Sequence, residues 1–151
     1  TRSLCDWSSD VCSSDLTVTG DADEAEVVML RSAGVPDLPT TPPREFGGSG
    51  SEWSPEALLV AAVADCYILT FKALAKASKL EWRTLNCETR GTLERIEKVT
   101  RFTTFDLDVQ LQIAEGANES MAERLMAKAK EVCLITNSLT AQCTLTARLV
   151  E

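Results

Sequence analysis

Apolar and polar residues alternate along several stretches of this chain and recur at helical spacing along two others. Phe105, Leu107, Val109, Leu111 and Ile113 alternate with Asp106, Asp108, Gln110 and Gln112, the period of a strand with one wet face. Leu85, Cys87, Thr89 and Leu93 alternate with Asn86, Glu88, Arg90 and Glu94, which predicts a second strand and a turn near Glu97-Lys98. Ala141, Cys143, Leu145, Ala147 and Leu149 predict a last strand. Glu26 to Leu30 reads as a short strand that ends by Gly34, and Pro36 to Gly50, rich in Pro and Gly, reads as loop.

The first helical stretch opens at Ser54-Pro55-Glu56. Serine is a good N-cap, proline suits the first helical position, and a carboxylate favours the positive helix start. The residues that follow, to about Ser78, are apolar nearly all round until Lys72, the signature of a buried central helix. The second helix is predicted from the capping-box pattern Ser120-Met-Ala-Glu123, with Ala122, Leu125, Ala129 and Val132 on one face and Cys133 at its C-terminal end. The predicted class is α+β: a mostly antiparallel sheet packed on two long helices.

Length and composition narrow the picture. The 151 residues suit one domain, and 44% apolar with 25% charged residues is ordinary for a globular protein. A net charge of −8 argues against nucleic acid and anionic membrane surfaces as partners. The run from Leu58 to Leu69 is interrupted by Asp65 and falls short of a bilayer, so no membrane span is expected. Asp6 to Leu16 lacks any helical or strand period and looks like the conceptual translation of a sequencing-library adapter. Residues 1–16 are therefore set aside as disordered and artefactual, leaving residues 17–151 as the domain.

Sulfur is the most informative chemistry that remains. The chain has six cysteines and no histidine, so the usual base, metal ligand and catalytic triad are missing, and no CxxC pair suggests zinc. A reducing, cytoplasmic setting is the simplest expectation. With Cys5 and Cys12 set aside, Cys66, Cys87, Cys133 and Cys143 are left. Cys66 lies in the third turn of the first helix, beyond the reach of the helix dipole, and has a core-filling alternative. Cys133, at a helix C-terminus, suits a late-acting sulfur better than a first nucleophile. Cys87 and Cys143 lie on apolar strand faces, where packing is the default role.

Four blocks of residues then carry a resemblance. Pro43-Arg-Glu-Phe-Gly-Gly-Ser-Gly50, Trp53-Ser-Pro-Glu-Ala-Leu-Leu59, Ala64-Asp-Cys-Tyr67 and Val132-Cys-Leu-Ile-Thr-Asn-Ser-Leu139 together resemble the OsmC/Ohr family, in its general OsmC-like branch. The resemblance implies an intertwined homodimer and a thiol-dependent peroxidase acting on organic hydroperoxides in oxidative stress defence. Cys66 is then the peroxidatic thiol and Cys133 the resolving one. A dithiol or a lipoylated protein is the implied reductant, and no cofactor or metal is implied.

Glu56 matches the family's site glutamate. Ten helical residues separate it from Cys66 by about 15 Å, so it is expected to serve the thiol of a second copy, or else only to complement the helix start. One departure stands out: the stretch matching the family's activating arginine, Thr19 to Glu24, has none, leaving Arg31 and Arg44 as candidates. The alternative function is a non-catalytic redox-responsive or ligand-binding protein of the same fold. A purely structural domain, with every cysteine in the core, is the third. Neighbouring sulfurs at Cys66 and Cys133 separate the first two from the last.

Overall fold

The computed structural model describes residues 15–151, so Cys5, Cys12 and the adapter-like stretch as far as Ser14 lie outside the described residues. Two compact units divide the chain after Pro55.

In the first unit, β1 (Thr19–Asp21), β2 (Val28–Arg31) and β3 (Leu38–Thr40) form an antiparallel sheet in that order. The segment predicted as loop from Pro36 to Gly50 thus contains a strand, and also a 3₁₀ turn at Arg44–Phe46. Pro39 lacks an N–H, but β3 is an edge strand and needs bonds on one side only. The 3₁₀ turn ends at Gly47, whose φ of 86° favours glycine. Thr41 N–H donates to Trp53 O at 3.0 Å, closing the Gly-rich loop.

The second unit holds α1 (Pro55–Ala77), β4 (Trp82–Ile96), β5 (Val99–Ile113), α2 (Glu119–Glu131), α3 (Leu134–Asn137) and β6 (Gln142–Val150). β4 and β5 make a long antiparallel hairpin turned at Glu97 and Lys98, both with positive φ (50° and 70°). That is the primed two-residue turn whose twist suits a hairpin. β6 lies on the other side of β5 and runs parallel to it, with Leu107 opposite Leu145 and Val109 opposite Ala147. A parallel pair requires a crossover, and α2 supplies it.

Helices and sheet share one core. Val63, Tyr67, Phe71 and Ala75 line one stripe of α1 and cluster with Phe105, Leu107, Val109 and Leu111 of β5 and with Ala122, Met126 and Ala129 of α2. Tyr67 Oη donates to Met126 O at 3.2 Å, so the one buried phenol meets the carbonyl of the neighbouring helix. Gly91 on β4 lets α1 come close: a Cβ there would lie 2.9 Å from Val60 and 2.7 Å from Phe102.

Two local expectations are corrected. The N-cap of α2 is Asn118, whose side chain accepts from Met121 N–H, rather than Ser120. Asparagine is as good a cap as serine, and it starts the helix earlier. The first helix is also longer in its apolar character than the Leu58–Leu69 run suggested. Its 23 residues, with mean hydropathy 1.8 over the most apolar window, are enough to cross a bilayer by length and composition. One stripe of this helix, Val63, Tyr67, Phe71 and Ala75, packs in the core.

Candidate active site

The site is built where α1 passes the link between α2 and α3. Cys66 is half-buried, next to the buried stripe that Val63, Tyr67 and Thr70 form on α1. Cys133 is fully buried, and both are free thiols. The two side chains are near enough for Cys133 to act on the Cys66 sulfur. The expected pair is therefore brought together.

Cys133 does not occupy the helix end that periodicity assigned to it. α2 stops at Glu131, and Cys133 (φ −64°, ψ 117°) is the extended residue that starts the short helix α3. The unfavourable C-terminal dipole expected for this sulfur is thus replaced by the opening turn of another helix. Several bonds fix the link: Val132 N–H donates to Lys128 O at 3.0 Å, Asn137 Nδ2 to Glu131 O at 3.0 Å, and Thr136 Oγ1 to Cys133 O at 3.2 Å.

The Cys66 sulfur feels opposed influences. Burial pushes its thiol up, and the neighbouring Cys133 adds to the rise. The backbone N–H of Ile135 and the Thr70 hydroxyl, which is placed to donate to the sulfur, pull the other way because both favour the anion. Ile135 belongs to the first turn of α3, where amides have no carbonyl partner within the helix. The net direction is upward.

Glu56 stands in the first turn of α1, and its Oε2 is buried without a hydrogen-bond partner. Both residues belong to one continuous helix, so the separation of about 15 Å from Cys66 holds. Within the chain the two are not brought together. Of the arginines proposed to activate the thiol, Arg31 is paired with Asp21 and with Asp37 (Nε to Oδ2, 3.0 Å), and Arg44 Nε donates to Ser49 O at 3.3 Å. Among the described residues no cluster of three or more Cys, Asp or Glu could hold a metal. A cavity of about 260 Å³, lined by Lys79, Leu80, Glu81 and the Glu115–Asn118 turn, lies beyond the C-terminal end of α1 and involves neither sulfur.

Two contributors escaped the sequence reading. Thr70 had a signal, because it is four residues after Cys66 and so on the same helix face. Ile135 had none, since neither Gly nor Pro marks the break between α2 and α3.

Comparison with known proteins converges on one family. The model of the family described as OsmC-like protein matches residues 48–148. The chain is 27% identical over 100 residues to the uncharacterized protein YmaD of Bacillus subtilis (strain 168), covering 64% of this chain and 67% of that one. The OsmC-like protein of unknown function from Vibrio cholerae superposes with a TM-score of 0.83 at 16% identity, covering 90% of this chain and 100% of the other. An organic hydroperoxide resistance protein OsmC from Legionella pneumophila superposes with a TM-score of 0.71 at 23% identity, covering 91% and 98%. At such identities the likeness of structure establishes the α+β fold.

Proposed function

Because the chain belongs to the OsmC-like protein family, we propose that it is a thiol-dependent peroxidase that reduces organic hydroperoxides in the cytoplasm. The observation that carries this reading is that Cys133 lies near enough to Cys66 to act on its sulfur. A hydroperoxide resistance protein among the structural relatives is consistent with it.

The chemistry follows from the two sulfurs. The Cys66 thiolate attacks the outer peroxide oxygen, the O–O bond breaks, and the alkoxide leaves and takes up a proton as the alcohol. Cys66 becomes a sulfenic acid. The Cys133 sulfur attacks it, the S–O bond breaks, water leaves, and a disulfide closes. A dithiol or lipoylated protein then returns both thiols to the reduced state by exchange.

Glu56 belongs to the proposal through a second copy. Its buried, unpartnered Oε2 and its distance along α1 from Cys66 both call for a partner outside its own helix turn. A homodimer also gives cover to the rest of α1. Only 22% of its most apolar window is buried in the single chain, and Leu69 is 54% exposed. Such apolar surface on a helix is a common mark of an interface.

A second reading keeps the fold but makes the thiols a slow redox-responsive pair, and the raised Cys66 thiol favours it. The test separates the two. Wild type, Cys66→Ser and Cys133→Ser are incubated with cumene hydroperoxide and a dithiol, and peroxide loss is followed. A peroxidase loses turnover in Cys66→Ser, while Cys133→Ser still yields a trappable sulfenic acid. Oxidation of wild type once, without turnover, identifies the redox-responsive protein. Equal consumption by wild type and Cys66→Ser refutes both.

A further inference from the structure

We propose that Thr70 is a positioning residue whose hydroxyl, together with the N–H of Ile135, stabilises the Cys66 thiolate once it forms. The proposal deepens the reading of Cys66 as the reacting thiol and rests on it, but its test does not use peroxide turnover.

Thr70 is four residues after Cys66 on α1, hence one turn on along the same face. It is only 2% exposed, and its Oγ1 has no hydrogen-bond partner. A helical threonine ordinarily closes its hydroxyl on the carbonyl three or four residues back. Here that carbonyl would be Cys66 O, and the bond is not made. A buried hydroxyl without an acceptor is destabilising, so the position makes sense if an acceptor forms in another state. A thiol is a weak acceptor. A thiolate is a strong one, because hydrogen bonds to ionised groups are about twice as strong as neutral ones.

The second donor comes from a different element, the opening turn of α3. No cation acts on Cys66 within this unit: the ionisable neighbour is Cys133 from the α2–α3 link, which acts in turn on Cys87 of β4. Asp65 and Lys72, the nearest charged residues along α1, are both exposed. Two neutral donors therefore do for this sulfur, in part, what a guanidinium would do.

The full chain is alkylated with iodoacetamide across a pH series, and the Cys66 peptide is quantified by mass spectrometry, so the other thiols do not interfere. Thr70→Val keeps the shape and removes the donor; Cys66 alkylation should slow roughly tenfold at neutral pH, and the profile should move to higher pH. Thr70→Ser keeps the donor and should stay close to wild type. Thr70→Ala gives the same prediction as Thr70→Val if the second methyl does not fit. An unmoved profile in Thr70→Val or Thr70→Ala overturns the proposal, as does a Thr70→Ser profile that moves with them. Slowed alkylation in Thr70→Val of a protein that consumes no peroxide refutes the peroxidase reading and leaves Thr70 in its role.

Discussion

The helical thiols and the strand thiols of this protein share burial but not company. Burial pushes Cys66, Cys87 and Cys143 all upward. Cys66 has a thiol partner, a helix-start amide and a spare hydroxyl around it. Cys87 has the Thr89 hydroxyl at 3.5 Å, and Asp108 and Cys133 push it further up. Cys143 spends its own proton on Ala141 O at 3.7 Å, an arrangement that suits the neutral thiol, while Lys130 acts against it. A backbone donor from a helix start, rather than depth or a neighbouring hydroxyl, sets Cys66 apart from the strand thiols. The reason is local backbone: a strand face commits its N–H groups to neighbouring strands, whereas a helix start leaves them free.

The sharpest way to break this contrast is all-or-none. After limited exposure to an organic hydroperoxide, peptide mapping should find the Cys66–Cys133 disulfide, with Cys87 and Cys143 still open to alkylation under denaturing conditions. Peroxide consumption in Cys87→Ser and Cys143→Ser should stay within about twofold of wild type in the folded variants, since neither sulfur acts directly on Cys66. A disulfide that includes Cys87 or Cys143 as the main product would erase the distinction.

Next in size is a change that tests packing without touching sulfur. Gly91→Ala places a methyl 2.7 Å from the Phe102 ring and 2.9 Å from Val60. Overpacking of this kind should destabilise the fold by about 1–3 kcal/mol in urea denaturation. Because Val60 is two turns from Cys66 on the same helix, the alkylation rate of Cys66 in the folded variant tells whether seating of α1 controls the thiol. No loss of stability would mean that α1 can shift freely on the sheet.

The pH behaviour of the pair gives a smaller effect with a definite sign. A raised thiol is less ionised at neutral pH than free cysteine, so Cys66 alkylation should keep accelerating as pH rises well into the alkaline range. Cys133 contributes to that rise through both its contact and its charge. Cys133→Ala should therefore lower the midpoint and speed Cys66 alkylation severalfold at neutral pH. Slower alkylation in Cys133→Ala would reverse the electrostatic account.

Much of the architecture was legible because one-sided burial writes itself into alternation. Phe105, Leu107, Val109 and Leu111 are the most buried part of the sheet and gave the cleanest pattern. Ser54-Pro55-Glu56 marked the start of α1 to the residue. β1 and β3 were missed because each is three residues long and Pro39 sits inside β3. The parallel pairing of β6 was available in principle, since a strand, a helix and a strand in series is the signature of a crossover. The setting of Cys133 was not legible. The apolar spacing runs on through Val132, Ile135 and Leu139, and the break at Cys133 is a change of ψ that any residue can adopt. The pairing of Cys66 with Cys133 rested on family resemblance, and no spacing rule would have delivered it.

The smallest predicted effect isolates the strand region from the thiol site. Glu97 and Lys98 hold positive φ at the hairpin turn without being glycine or asparagine, a conformation that costs L-residues energy. Asn-Gly is the pair best suited to such a turn. Replacing Glu97→Asn together with Lys98→Gly should raise stability by roughly 0.5–1 kcal/mol. The turn lies beyond Thr104, where β6 begins to pair with β5, at the free end of the two-stranded part of the hairpin. A gain confined to that end should leave Cys66 alkylation unchanged, because no group acting on the sulfur comes from the turn. If alkylation moves with turn stability, the thiol site and the hairpin form one cooperative unit, and the contrast between helical and strand thiols belongs to the whole fold rather than to local donors.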